Sequence, residues 1–304
     1  MRMPNIHGLI RLKLLAAFIA IAILVVGTVS SVSAWQSKAA PLPPFRLYVF
    51  DCGTLNYNSA ENYRLKVEEV KDTNMSIACF LVVHPRGNLM WDVGAIPDAS
   101  WTPTGSPVRM QFKLPDGAER DVTMRKALKT QLAAAGFTPA DVTHLALSHY
   151  HWDHIANAND FAKATWITRR AEREVMFAAK IERTIPENYS ALRNSKTSVI
   201  DQEDFDVFGD GKVVLKSTPG HSPGHQVLYV ELPRTGRIVL GGDLYHYPEE
   251  RTLNRLPTRE FNVEQTAASR ASLDAFLKRT GAQLWIQHDN VADAKLKKSP
   301  EFYD

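Results

Sequence analysis

Three histidines and an aspartate crowd into six residues of Ser148-His149-Tyr150-His151-Trp152-Asp153-His154. Imidazole and carboxylate groups at that density repel one another or lose solvation unless something binds them, and a divalent cation is the natural partner. In an extended or turning segment His149 and His151 point to one side, while Asp153 and His154 aim elsewhere after the turn, so one stretch can feed two ions. Further ligand candidates stand where strands are expected to end: His221 in Thr218-Pro219-Gly220-His221, Asp243 in Gly241-Gly242-Asp243, and His288 in Gln287-His288-Asp289. A tetrahedral ion takes about four ligands, so seven candidates imply two ions. Two ions can lower the pKa of a bridging water to about 7, giving a hydroxide that attacks a carbonyl without a serine or cysteine nucleophile. One ion would polarise the carbonyl, the other would stabilise the leaving alkoxide, and Asp153 would handle a proton. Histidine and carboxylate donors suit zinc, and iron, manganese or cobalt also fit such a set.

These residues need a scaffold. The segments Phe45–Phe50, Ile77–Val83 and Asn88–Trp91 read as strands, the last two joined through Pro85-Arg86-Gly87. From Asp121 to Ala135 the apolar residues Met124, Leu128, Leu132 and Ala135 fall at helical spacing, and Gly136 ends the run. A short strand, His144–Leu147, leads into the first cluster. Later strands are expected at Thr165–Ile167, Lys212–Ser217, Gln226–Leu232, Arg237–Leu240 and Gln283–Gln287. Asn262 can cap a helix with Gln265 at its third position, with Val263, Ala267, Phe276 and Leu277 on the apolar side until Gly281. Strand-rich segments followed by helices recur in each half, which predicts an α/β fold with two sheets sandwiched between helices.

Composition sets the context. With 304 residues and 44% hydrophobic content, the chain can bury an enzyme-sized core. Arg2, Arg11 and Lys13 precede an uncharged apolar run from Leu14 to Val26 and a small-residue stretch ending at Ala34. That layout fits a secretory signal peptide cleaved after Ala34 or a retained membrane anchor over residues 1–34. Both place the body outside the cytoplasm, periplasmic or extracellular, beyond a linker at 35–44 and with the hydrolase domain at 45–304. Without its three basic leader residues the mature chain holds 33 basic and 33 acidic residues, which argues against a nucleic-acid partner. The two cysteines, Cys52 and Cys79, either pair in an oxidising compartment or remain two buried thiols.

The ordered set His-x-His-x-Asp-His, Thr-Pro-Gly-His, Gly-Asp and a final histidine resembles the metallo-β-lactamase superfamily over roughly Phe45 to His288, including Trp91-Asp92-Val93-Gly94 beneath the site. The resemblance implies a four-layer αββα sandwich. By position it places His149, His151 and His221 on one metal and Asp153, His154 and His288 on the second, with Asp243 bridging. His225 is then a structural or supporting histidine, and His84 and His144 are ordinary packed ones.

Within the superfamily the opening Leu47-Tyr48-Val49-Phe50-Asp51-Cys52-Gly53-Thr54-Leu55 is similar to the N-acyl-homoserine lactone lactonases. That implies lactone ring opening, a small-molecule lactone or ester substrate, and a family-level homodimer. The alternatives are a glyoxalase II-like thioesterase, whose basic substrate-binding residues have no identifiable counterpart in the sequence, a β-lactamase, disfavoured by Asp243, and a non-catalytic metal binder. One departure matters. Where the lactonases commonly place a substrate-contacting tyrosine, three residues past the bridging aspartate, this chain has His246, flanked by Tyr245 and Tyr247 as substitutes. The segments 96–120 and 181–208 are the expected pocket walls, with Trp101, Met110, Phe112 and Tyr189 available to an acyl chain. Arg169, Arg170 and Arg173 read as a solvated helix face.

Overall fold

A computed structural model describes residues 45–179 and 181–304; the leader and linker segments lie outside them. The chain opens with β1 (Arg46–Leu55), β2 (Met75–His84) and β3 (Gly87–Trp91), followed by the hairpin β4 (Val108–Lys113) and β5 (Glu119–Met124) and the helix α1 (Leu128–Ala134). Next come β6 (His144–Ala146), α2 (Trp152–Ile155), β7 (Thr165–Arg169), α3 (Arg170–Met176), β8 (Thr197–Ile200) and β9 (Asp204–Asp206). The second half holds β10 (Val213–Ser217), β11 (Gln226–Leu232), β12 (Gly236–Leu240), α4 (Pro248–Thr252), α5 (Val263–Thr280), β13 (Gln283–Trp285) and α6 (Asn290–Asp293). An eight-stranded sheet runs β4-β5-β1-β2-β3-β6-β7-β8, and a five-stranded sheet runs β13-β12-β11-β10-β9.

Three apolar clusters define the layers. Along β1, Leu47 and Val49 face Leu228, Val230, Ile238 and Leu240 of the second sheet, while Tyr48 and Phe50 face Leu128 and Leu132 of α1. The two-residue period of a strand thus serves two cores at once. On the far side, Val227, Tyr229 and Val239 pack under Leu273 and Leu277 of α5. Each such buried side chain contributes about 1.5–3 kcal/mol, and the three contacts stack into the αββα sandwich.

Three sequence expectations are corrected. The helix expected from Asp121 begins only at Leu128, because Val122 and Met124 are buried at strand spacing and β5 pairs with β1 and β4. On the first half of α5 the inward face is polar: Thr266, Ser269 and Arg270 are buried while Ala267 is exposed, and only Leu277 of the expected stripe is buried, beside Leu273. Arg169 is buried at the end of β7, donating to Gln226 Oε1 at 3.1 Å and Glu203 O at 3.1 Å, whereas Arg170 pairs with Asp201 on the surface. The caps of α5 are as read: Asn262 accepts from Gln265 N, and Gly281 is left-handed. Cys52 and Cys79 form a disulfide between β1 and β2. Among the described residues no helix is long and apolar enough to cross a membrane.

Candidate dinuclear metal site

The seven ligand candidates come from strand ends of both sheets. His149 and His151 follow β6, Asp153 and His154 lie on α2, His221 sits between β10 and β11, Asp243 follows β12, and His288 follows β13. None is more than 6% exposed. Their donor atoms fall into two groups, His149–His151–His221–Asp243 and Asp153–His154–His288, each within 4.8 Å. Asp243 divides between them. Its Oδ2 lies 3.5 Å from His149 Nε2 and 3.3 Å from His221 Nε2, while Oδ1 lies 3.0 Å from His154 Nε2 and 2.9 Å from His288 Nε2. His151 Nδ1 approaches His149 Nε2 at 2.7 Å and His221 Nε2 at 2.9 Å.

The rear atoms of these rings are tied down. Asp92 Oδ2 meets His154 Nδ1 at 2.9 Å, Glu260 Oε1 meets His221 Nδ1 at 3.0 Å, and the Ser76 carbonyl accepts from His288 Nδ1 at 2.7 Å. Asp92 also accepts from Ser148 N at 2.7 Å and Ser148 Oγ at 2.9 Å. Ring orientation is therefore set from behind, leaving the front nitrogens for a cation. His154 Nε2 and Asp243 Oδ1 are buried without a hydrogen-bond partner. Such orphans are costly, and five imidazoles with two carboxylates at these positions fit two divalent cations.

The electrostatics match a cage awaiting positive charge. Burial, then His154, holds His149 well below its ordinary value, and burial, then Arg183, does the same to His151. Burial alone would push the Asp243 carboxyl up, but His288, His154 and His149 outweigh it and hold it well below the carboxylate range. His149 and His151 are thus held toward the neutral form and Asp243 toward the ionised one, the forms that ligate, whereas at His154 burial is outweighed by the carboxylates of Asp243, Asp92 and Asp153, which favour a proton that a cation would displace.

His225 supports rather than faces the cluster. Its Nε2 accepts from Asp243 N at 3.1 Å and its Nδ1 donates to Thr218 O at 3.1 Å. Gly242, at φ +49°, lets this contact form: a Cβ there would stand 2.8 Å from His225 Nε2. Glu172 pins two ligand loops together, accepting from Tyr150 N, Ser222 Oγ and Gly224 N, each at 2.7 Å, and burial pushes its carboxyl up to about 7.

The residues proposed around the metals divide. His246 reaches the site, with Nε2 3.3 Å from Asp243 Oδ2 and its ring stacked parallel to His288. Tyr245 does not: its ring packs under Arg270 and its hydroxyl turns to Asp274, because the chain enters the core beneath α5 there. Tyr247 donates to Thr73 O and is likewise turned away. Of the expected wall aromatics, Tyr189 is buried with its hydroxyl on Met176 O, and Trp101 lies in the first core. Phe112 alone borders a groove beside the cleft, set edge-on to Trp152 at 5.5 Å. The cleft over Asp153, Asp243, His246 and His288 is instead lined by Tyr63, Arg120, Arg183 and Arg259; Arg120 and Arg183 fall in the two segments expected as walls, though neither was singled out, and Tyr63 and Arg259 lie outside them. The Tyr63 ring lies tilted against His246, with centroids 4.5 Å apart.

Sandwich, strand-end ligands and shared aspartate together define a metallohydrolase of the β-lactamase-like kind. The family model for the metallo-beta-lactamase superfamily matches residues 72–284, and the chain belongs to that superfamily. It is similar to the N-acyl homoserine lactonase AttM of Azorhizobium caulinodans, 29% identical over 271 residues, covering 85% of this chain and 98% of the relative. It is also 28% identical over 233 residues to the N-acyl homoserine lactonase AiiA of Bacillus thuringiensis subsp. kurstaki, covering 75% and 87%. Among solved structures, an N-acyl homoserine lactone hydrolase holding N-hexanoyl-L-homoserine at its catalytic metal centre superposes with TM-score 0.71 at 23% identity, covering 85% and 98%. The dizinc quorum-quenching lactonase AidC does so with TM-score 0.61 at 20% identity, covering 86% and 94%.

Proposed function

We propose that the protein opens the lactone ring of N-acyl-homoserine lactones, with His149, His151 and His221 holding one cation, Asp153, His154 and His288 a second, and Asp243 shared. The observation that carries this reading is the division of the Asp243 oxygens between the two groups, 3.3 Å from His221 on one side and 2.9 Å from His288 on the other. The full-length similarity to named lactonases supports the substrate class. Zinc is the proposed metal, on the imidazole and carboxylate donors.

Two divalent cations here would supply a water ionised near neutral pH and polarise the ester carbonyl. The chain does the rest. Asp92, Glu260 and the Ser76 carbonyl fix the imidazoles so that no reorganisation accompanies the reaction. Asp153, which borders the cleft, holds a proton on its carboxylate and returns it to the leaving alkoxide. His246, in the place where the resemblance expects a tyrosine, orients the carbonyl group of the substrate from beside Asp243. We also propose export, through the basic and apolar leader, and the Cys52–Cys79 disulfide supports an oxidising compartment.

The test is ring opening by the metal-loaded chain from Trp35 onward, followed by proton release, with a short- and a long-chain acyl-homoserine lactone, a thioester and a β-lactam. Preferential, chelator-sensitive lactone opening is expected. Faster thioester cleavage, or inertness to lactones with two metals bound, moves the activity to another branch. Cell fractionation with the full leader present tests export.

A further inference from the structure

Two pockets flank the ligand cluster, one of about 140 Å³ bordered by Asp153, Asp243 and His288 and one of about 660 Å³ bordered by His151 and His221. Arg183 and Arg259 border both, and Arg120 borders the first. Elsewhere several arginines meet carboxylates, Arg109 with Asp121, Arg170 with Asp201 and Arg270 with Glu250, while others, such as Arg193 and Arg279, stack on aromatic rings instead. Among the described residues Arg120, Arg183 and Arg259 have no such ion pair. The Arg120 side chain donates only to Glu119 O and lies 5.6 Å over the Trp152 ring, which holds its guanidinium in place.

Arg183 is held more firmly. Its backbone is left-handed at φ +58°, an unfavourable conformation for a side chain with a Cβ. Its N–H donates to Asp116 Oδ2 at 3.1 Å and its carbonyl accepts from Trp152 N at 2.9 Å, so it is tied to the helix that carries Asp153 and His154. Arg120 and Arg183 repel each other and feel Asp116 only at longer range, as Arg120 does Asp153, so these guanidiniums beside the ligand cluster keep hydrogen-bonding capacity for an anion. The mature chain as a whole is charge-balanced, so this basic lining is local. A neutral acyl chain uses none of it.

We propose that the preferred substrate carries a carboxylate at the end remote from its ester, received by Arg183 and Arg259 where the two pockets meet. This rests on the ester-hydrolase reading and narrows it. The acyl part is short and anionic rather than long and apolar, consistent with Trp101 and Tyr189 lying in the core. Asp116 and Glu182, on the same rim, limit the net charge and set the distance at which an anion is welcome.

The test compares N-adipoyl- with N-hexanoyl-homoserine lactone on the metal-loaded enzyme. Acyl length is equal, and both ring openings create the same homoserine carboxylate, so the ratio of kcat/KM isolates the terminal charge. A ratio of roughly tenfold or more for the adipoyl compound is expected, as for a charge-assisted hydrogen bond, falling with added salt. Arg259→Gln and Arg183→Gln should each collapse the ratio, and Arg183→Lys should restore part of it. Arg259 is exposed, so that variant remains informative if Arg183→Gln fails to fold. A wild-type ratio near one, or a ratio unmoved by either Gln variant, overturns the proposal and leaves lactone opening intact. If neither lactone is opened, the lactonase reading fails on its own. Calorimetry then decides: tighter binding of adipate than hexanoate, lost in Arg259→Gln, supports the anion site, and equal binding overturns it.

Discussion

The ligand cage and the cleft wall lie side by side but are built on opposite terms. In the cage the polar side chains are buried and most ligand rings are held from behind; Glu260, for instance, holds His221 with one oxygen and accepts from Thr266 Oγ1 at 2.5 Å with the other. In the wall, Arg120 and Arg183 are partly exposed and Arg259 is exposed, and among the described residues none of them forms an ion pair. The chemistry therefore rests on over-determined geometry, whereas the proposed choice of substrate falls to a few less constrained side chains.

The sharpest way to break this contrast is Asp243→Ala. Hydrolysis should fall below detection and metal content, measured by plasma emission, should drop, with the circular dichroism of a folded protein; full activity would sink the shared-ligand assignment. The next concerns Glu172, the buried peg between the ligand loops. Its carboxyl in the folded chain, at about 7, lies above its ordinary 4.5, so protonation favours folding. Its contribution is complete below about pH 4.5 and is lost as pH rises to about 7. In chelator-treated protein, the urea-derived stability of wild type relative to Glu172→Gln should decline across that window by on the order of 3 kcal/mol. The hydrogen bonds lost in the variant add only a constant offset, so a flat difference would refute the assignment.

Smaller effects follow toward the wall. Glu260→Gln frees the rear of His221 and should cost roughly 10- to 100-fold in metal affinity, read by competition with a chelating dye. Phe112→Ala, which touches the neighbouring groove and no ligand, should change kcat/KM by only about fivefold, corresponding to ~1 kcal/mol of a half-buried ring. A larger change would mean that the groove, and not the arginine rim, receives the acyl part.

The same contrast explains what was legible in the sequence. The cage is written locally: His149 to His154 are contiguous, and His221 and Asp243 follow Gly220 and Gly242, whose close packing on Thr266 and His225 leaves no room for a Cβ. The αββα order follows from strand periods and glycine stops. The wall has no such signature, because Arg120, Arg183 and Arg259 stand far apart in sequence and meet only when the β4–β5 hairpin, the loop before β8 and the segment between α4 and α5 come together around the cleft. That hairpin was hidden by an apparent helical spacing through Met124, where strand pairing prevailed over pattern. Glu260 and Glu172 were invisible for a related reason: an isolated glutamate declares nothing until a tertiary contact gives it a partner. Tyr245 misled by proximity, since neighbours along an extended segment face opposite ways.

The tie between His288 Nδ1 and the Ser76 carbonyl joins positions 212 residues apart in sequence, one early in the fold and one late. Closing so long a loop comes late and slowly, because its entropy must be lost before its contacts form. The ligand set is therefore incomplete in any half-folded chain, and metal uptake acts as a late clock for maturation. A cation that binds only the finished sandwich also deepens its stability in proportion to the logarithm of its free concentration. Metal supply would then govern how much of this protein survives as well as how fast each molecule works.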